Sequence, residues 1–359
     1  MKSKYIKYIL IGLIFGIALF QRLSLFDQVG KDVYSYERAV LDLLTGRNPY
    51  SWTVESYSNP DDPTNHGFAY LPGLMYIYAP LYMVHVKTGL PFQYLWKIPI
   101  LLADIGIGVL LLRFFKDKPL WLTLISLVAW FFNPYFYYKQ NYVYTDPLPI
   151  FFMLAALFVL KKDDVGAGAL YAVSVALKTF PYLLFPIFLF KSKNKKDFLL
   201  AGLMAGFVFV LPFLKSVADF TTFLNGAIFV HGNRFIQGRP FLFYISYFYN
   251  VELFQIIPFK VYTLLASFSG WVVCTILYLK KWLRNRYVLS LISFGLFYLF
   301  TPVLNRTYLM WAVPVFLIGS YELVKNKKAV VYFSLVVSAW SFYYWYLAQW
   351  KDGFHIWRP

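Results

Sequence analysis

A single cysteine in 359 residues, Cys274, excludes an intramolecular disulfide, and its place inside an apolar run argues against a thiolate-bound metal. Charge is also scarce. Only 14% of the residues are charged while 60% are hydrophobic, far more apolar side chain than a soluble core of this size hides. No small-residue cleavage pattern follows the first apolar stretch. After Tyr8 to Phe20 comes Gln21-Arg22-Leu23, so Lys2 to Phe26 reads as a retained signal-anchor helix rather than a signal peptide. These shortages together describe a polytopic membrane protein.

Acids are half as numerous as bases, 17 against 34, and the net charge is +17. Nucleic-acid binding would need the basic residues gathered on a soluble face. They stand instead between apolar runs, at Lys2/Lys4/Lys7, Arg113/Lys116/Lys118, Lys161/Lys162, Lys191/Lys193/Lys195/Lys196, Lys280/Lys281/Arg284/Arg286 and Lys325/Lys327/Lys328. This is the pattern of cytoplasmic loops under the positive-inside rule, so no nucleic-acid partner is expected.

The apolar runs cover 5–25, 92–112, 120–138, 147–160, 165–178, 180–190, 198–214, 259–280, 288–303, 308–322 and 329–348, which makes about eleven segments. Counting 68–86 as a further span would turn five downstream basic clusters outward. It is therefore expected to be an interfacial or re-entrant helix. With that choice the N-terminus is cytoplasmic, and the six clusters place 19 Lys and Arg against five acids on that side. The runs 165–178 and 180–190 are short for spans and meet at Lys178-Thr179-Phe180-Pro181. They read as a broken hairpin whose irregular backbone needs a protein-lined or wet cavity around it. The outer segments are long, above all 26–91 and 215–258, within what reads as one integral-membrane domain, 1–359.

"KDVYSYERAVLDLLTGRNPY" at 31–50 follows the first run. Val33, Tyr36, Val40, Leu43 and Leu44 fall near one helical face, with Glu37, Arg38 and Asp42 on another, which describes an amphipathic helix lying on the membrane surface. Asp32 heads that helix. Two readings stand open for it: a helix cap, or a general base held at the outer surface. Asp104 lies in mid-run, where an ionisable group is costly unless paired, and Lys178 or Lys97 is the expected partner.

The ordered set "LLTGRNPY", "FAYLPGLMYIYAPL", "KIPILLADIGIGVLLLRFF", "WFFNPYFYYKQNYVYTDPLPIFFMLAALFVLKK", "GALYAVSVALKTFPYLLFPI", "FVHGNRFIQGRPFLFYISYFYN" and "NRTYLMWAVPVFLI" resembles the GT-C superfamily of polyprenol-phosphate-sugar glycosyltransferases. It is most similar to GPI mannosyltransferase I and the prokaryotic polyprenol-phosphate-mannose-dependent mannosyltransferases. The resemblance implies an all-α GT-C fold and an inverting transfer of a hexose, mannose by this likeness. The donor would be a polyprenyl- or dolichyl-phosphate sugar, and the acceptor a hydroxyl of a lipid-linked or other glycan on the non-cytoplasmic face. It makes Asp32 the candidate base and places His66 and Tyr70 near the donor. Asp146 corresponds to the superfamily's second acidic position, where it could bind sugar hydroxyls, assist Asp32 or cap the helix starting at Pro147.

The departing phosphate gathers negative charge, for which His231, Arg234, Arg239, Arg306 and Lys178 are the available donors. Stacking on sugar faces would fall to some of the many aromatics, with Tyr34, Tyr308 and Trp311 as candidates. Where the family often has Asp-x-Asp, this chain has Gly30 before Asp32, with Asp27 five residues off. A divalent ion such as magnesium or manganese is therefore disfavoured, and no cofactor is expected. A prokaryotic cell membrane is the expected location, or the endoplasmic reticulum in a eukaryote. A lipid or solute transporter or flippase would also account for the spans. Transporters, however, often carry paired internal repeats, and none is visible here.

Overall fold

In a computed structural model the described residues are 2–30, 32–58, 67–135, 144–230, 236–249, 258–324, 329–349 and 356–357. Helices dominate them. By length and composition five are long and apolar enough to cross a membrane: α1 (Lys2–Ser24), α5 (Phe92–Phe115), α10 (Lys195–Val210) with its short 3-10 extension, α13 (Phe259–Leu279) and α16 (Ala329–Ala348). Six shorter apolar stretches stand beside them: α6 (Leu120–Phe131), α7 (Pro147–Val159), α8 (Asp164–Leu177), Phe180–Lys191 ending in α9 (Phe185–Lys191), α14 (Arg286–Phe300) and α15 (Tyr308–Val324). The eleven segments expected from the sequence are thus present among the described residues, as an all-α polytopic membrane protein.

The lipid-facing surface is visible in the exposure pattern. Along α10 only Phe198 is buried, while Leu200, Leu203, Met204, Phe207 and Val208 are open. A soluble protein does not leave so continuous an apolar face uncovered. Several helix starts are fixed by side chains from the basic loops. Asp163 accepts from the Gly166 amide, Asn194 from that of Asp197, and Asn285 from those of Tyr287 and Val288. Each satisfies an amide that the helix itself leaves unpaired.

The broken hairpin is present. Helix α8 ends at Leu177, Lys178 is extended (φ −159°, ψ 140°), and a 3-10 turn over Phe180–Leu184 leads into α9. On one side of the bundle a second layer forms from α2 (Asp32–Leu44), α3 (Ser51–Ser58), α4 (Gly73–Thr88) and α11 (Val217–Ala227). Helix α4 has 16 residues with Pro80 inside and is not among the apolar stretches counted above. Its Leu74, Met75 and Tyr78 are buried in the apolar cluster of this layer, which also takes in Val33, Tyr36, Val40 and Trp96.

Helix α2 departs in detail from the expected faces. Ala39 joins its buried side and Leu44 is exposed. Asp42 is nearly buried because Arg47 reaches back to it at 2.9 Å and Arg38 lies 3.9 Å away. The sequence "GRNPY" then proves to be a fastening. Gly46 takes the left-handed φ of +76° that lets the chain leave the helix. The Asn48 amide donates to the backbone and carboxylate oxygens of Asp219 on α11. The Ser216 hydroxyl and that amide hold the Asp219 carboxyl below the usual aspartate value. Tyr50 is fully buried against Phe68, Phe213 and Phe223, and its hydroxyl donates to the Tyr70 carbonyl at 2.8 Å.

The remaining described elements are α12 (Phe241–Tyr249) and a three-stranded sheet in the order β2-β1-β3, built from β1 (Ile236–Gly238), β2 (Val303–Leu304) and β3 (Ile356–Trp357). Strand β1 runs parallel to β2 and antiparallel to β3. Small as it is, this sheet ties the second outer segment to the loop before α15.

Candidate functional site

The two layers meet where α7 begins and α8 ends, and the charged pair there is the centre of the site. The Lys178 ammonium donates to Asp146 Oδ1 at 2.7 Å, with the two residues only 8% and 1% exposed. The Trp311 indole N–H, from the first turn of α15, donates to the same oxygen. Asp146 Oδ2 is buried and has no hydrogen-bond partner in the described structure. A buried carboxylate oxygen left open is costly unless something arrives to donate to it, and a hydroxyl of a bound molecule fits.

Aromatic rings wall the pair. Tyr70 and Trp311 each lie 5.4 Å from the Lys178 ammonium, in the range of cation–π attraction. Trp311 is stacked between Phe180 and Tyr308, at 4.3 and 3.9 Å between ring centres. Tyr70 in turn stacks on Tyr36 of α2 at 5.7 Å. The surface helix is therefore joined to the buried pair through one ring. Gly73, at the start of α4, touches the backbone of Ala176 and Leu177, so closely that a Cβ there would sit 2.6 Å from the Ala176 carbonyl carbon. Only glycine permits that approach, which brings Tyr70 and α4 against the break that carries Lys178.

Of the residues expected at the site, the structure brings together Asp146, Lys178 and Tyr70. Arg239 and Arg306 stand near one another, because the Arg239 amide donates to the Leu304 carbonyl and β1 runs beside β2. Arg306 precedes by two residues the Tyr308 that stacks on Trp311. Tyr308 and Trp311 stack on each other and Trp311 donates to Asp146, while Tyr34 is exposed. Of Asp32 only the helical position is described, at the head of α2. His66, His231 and Arg234 lie outside the described residues.

Several pairings differ from expectation. Asp104 pairs with neither Lys178 nor Lys97. Its Oδ2 accepts from Arg22 Nε at 2.8 Å, both side chains fully buried, because α1 packs across α5 and α6. Lys97 gives its hydrogen bonds to the carbonyls of Leu25, Phe26 and Gln28, in the turn that follows α1. Asp27 accepts from the Tyr94 hydroxyl at 2.9 Å. Nor does the Asp146 side chain cap α7. Its oxygen is drawn to Lys178 and Trp311 instead.

Nothing in the sequence alone assigns a role to Arg22, Asn48 or Tyr50. Arg22 had one usable signal, a lone charge at the end of an anchor helix. Among the described residues no three His, Cys, Asp or Glu side chains gather as metal ligands would.

Fold and site together define a polytopic membrane protein with a polar, aromatic-walled centre at one end of its helices. The model of a family described as Glycosyltransferase family 87 matches residues 68–304, and the chain belongs to that family, making it a membrane glycosyltransferase of GT-C-like type. The matched region runs from just before Tyr70 to the end of β2 and contains Asp146, Lys178 and Arg239. No curated protein and no solved structure matches the chain.

Proposed function

We propose that this membrane glycosyltransferase moves a hexose from a polyprenyl-phosphate donor to an acceptor hydroxyl, with mannose the sugar that its finer resemblance implies. The observation that carries this reading is the Asp146–Lys178 pair with its open carboxylate oxygen, walled by Tyr70, Tyr308 and Trp311. Sugars are bound by carboxylates that accept from their hydroxyls and by aromatic faces that cover their C–H surfaces. Lys178 keeps two further N–H donors after Asp146, available for a phosphate oxygen.

An apolar groove of about 570 Å³ is lined by Leu71 and Ala176, neighbours in the chain of Tyr70 and Lys178, and by Pro72, Tyr182, Gly206 and Trp271 among others. It suits an isoprenoid chain whose phosphate reaches Lys178. Arg239 and Arg306 are the further phosphate donors, with His231 and Arg234 in the same outer segment as Arg239.

Asp146 is a sugar-binding group in this reading, because Lys178 and Trp311 already occupy one of its oxygens and the other is open to a hydroxyl. Asp32 is the base that takes the acceptor proton. Position 32 lies four residues before Tyr36, hence on the helical face of the residue that stacks on Tyr70. Direct displacement with Asp32 as base inverts the anomeric centre and requires no metal. His66, close to Tyr70 in sequence, is assigned to donor binding. The site faces outward, with the N-terminus cytoplasmic, in a prokaryotic cell membrane, and the acceptor is a glycan or lipid-linked sugar.

The test is transfer from radiolabelled polyprenyl-phosphate mannose to crude lipid acceptors by purified protein. Wild type is expected to transfer label. Asp32→Ala should lose roughly two to four orders of magnitude in rate, the contribution of a general base. Wild type inert with several sugar donors would end the donor assignment, and transfer surviving in Asp32→Ala would remove Asp32 as the base.

A further inference from the structure

At the opposite end of α7 and α8 from Asp146 and Lys178 lies a second cavity, of about 530 Å³, whose walls carry seven cations. Arg113 and Lys116 come from the end of α5, Lys161 follows α7, Lys191 and Lys193 close α9, and Arg284 and Arg286 lead into α14. Four separate stretches of chain thus converge on one space.

The only carboxylate in the lining is Glu322, and it accepts from the Asn285 side chain at 2.7 Å. Among the described residues none of the seven cations forms an ion pair with an acid, whereas Arg22, Arg38, Arg47 and Lys178 each do. Three of the seven lie against aromatic rings. The Lys191 ammonium lies 5.1 Å from the Tyr278 ring, with the Arg284 guanidinium 5.9 Å from the same ring. Arg286, 92% buried, lies over Tyr287 and donates to its hydroxyl at 3.1 Å.

A positive-inside bias needs basic loops but not their convergence on a cavity. Arg113, Lys116, Lys161 and Lys191 do stand at helix C-termini, where the dipole favours a cation, yet about half a charge per helix does not balance seven. The N-terminus of α14 also borders this space, and with its Tyr287 and Val288 amides capped by Asn285 it contributes only its dipole. Cations gathered this closely repel one another until an anion sits among them.

We propose that this cavity is a binding site for a phosphate-bearing anion, supplied by an anionic lipid headgroup or by a soluble diphosphate. It is independent of the glycosyl-transfer site and of the donor assigned there. Guanidinium and ammonium groups from four segments can surround a phosphate on several sides, which a surface patch does not do.

The test compares three full-length proteins reconstituted in nanodiscs. One is wild type, one carries Arg113→Gln, Lys191→Gln and Arg284→Gln in the cavity, and one carries Lys162→Gln, Lys280→Gln and Lys281→Gln, which remove equal charge outside it. Phosphatidylglycerol retained against a phosphatidylcholine background, counted by native mass spectrometry, reports the lipid source. Titration with inorganic pyrophosphate reports the soluble one.

At least one probe should bind wild type and the outside variant alike, and the cavity variant about tenfold more weakly or less. Arg284→Gln alone, an exposed position, serves if the triple variant fails to fold, with a weakening of about threefold or more. Equal losses in the cavity and outside variants, or no probe binding wild type better than the cavity variant, would overturn the site.

Discussion

The Asp146 carboxylate is worth most as half of a pair. Substituting Asp146→Asn leaves the Lys178 ammonium buried without its counter-charge, and removing one partner of a buried pair costs roughly 3–5 kcal/mol. The single variant should therefore melt well below wild type in detergent. The double variant Asp146→Asn with Lys178→Gln should recover much of that stability and none of the sugar transfer. If both variants melt alike, the pair contributes no stability of its own. Sequence reading picked out Asp146, Lys178 and Tyr70 but not their mutual contact. Residues 32 and 108 apart in the chain meet only because α7 and α8 fold back on one another and α4 lies across their ends. Trp311 stood among many aromatics and carried no local signal that its indole would bind a carboxylate.

At the scale of elements, helices with one polar face revealed their orientation, and helices apolar all round did not. Helix α2 buried Val33, Tyr36 and Val40 as its periodicity demanded, since one side had to face water. Helix α5 offers lipid and protein the same apolar surface, so nothing in its pattern says which neighbour Asp104 will find. The neighbour was Arg22, fixed by the packing of α1. Its isolated loss, Arg22→Met, is expected to cost about 3–5 kcal/mol, while Arg22→Met with Asp104→Leu should lie near wild type. Thermal unfolding of the four proteins of this cycle gives the coupling directly. Additive effects of the two substitutions would mean that the pair does not hold α1 to α5.

For the whole molecule, the count of segments and the broken hairpin were legible because length and hydropathy are properties of the chain alone. The layering was not, because it depends on side chains such as Asn48 and Tyr50 reaching across more than a hundred residues. Treating α4 as a surface element fixes the side of every loop after it. With Cys274 changed to Ser as background, a cysteine placed at Lys215 should react with a membrane-impermeant maleimide from outside intact cells. One at Lys162 should react only after permeabilisation. Both reacting from the same side would sink that orientation.

The hairpin of α7 and α8 adds a constraint of another kind. These helices of 13 and 14 residues are joined at one end by residues 160–163 and clasped at the other by Asp146 and Lys178. Adding one residue to either would swing its terminal side chain by about 100° and open the clasp. Among related chains, insertions and deletions in the two helices should accordingly arise together or not at all.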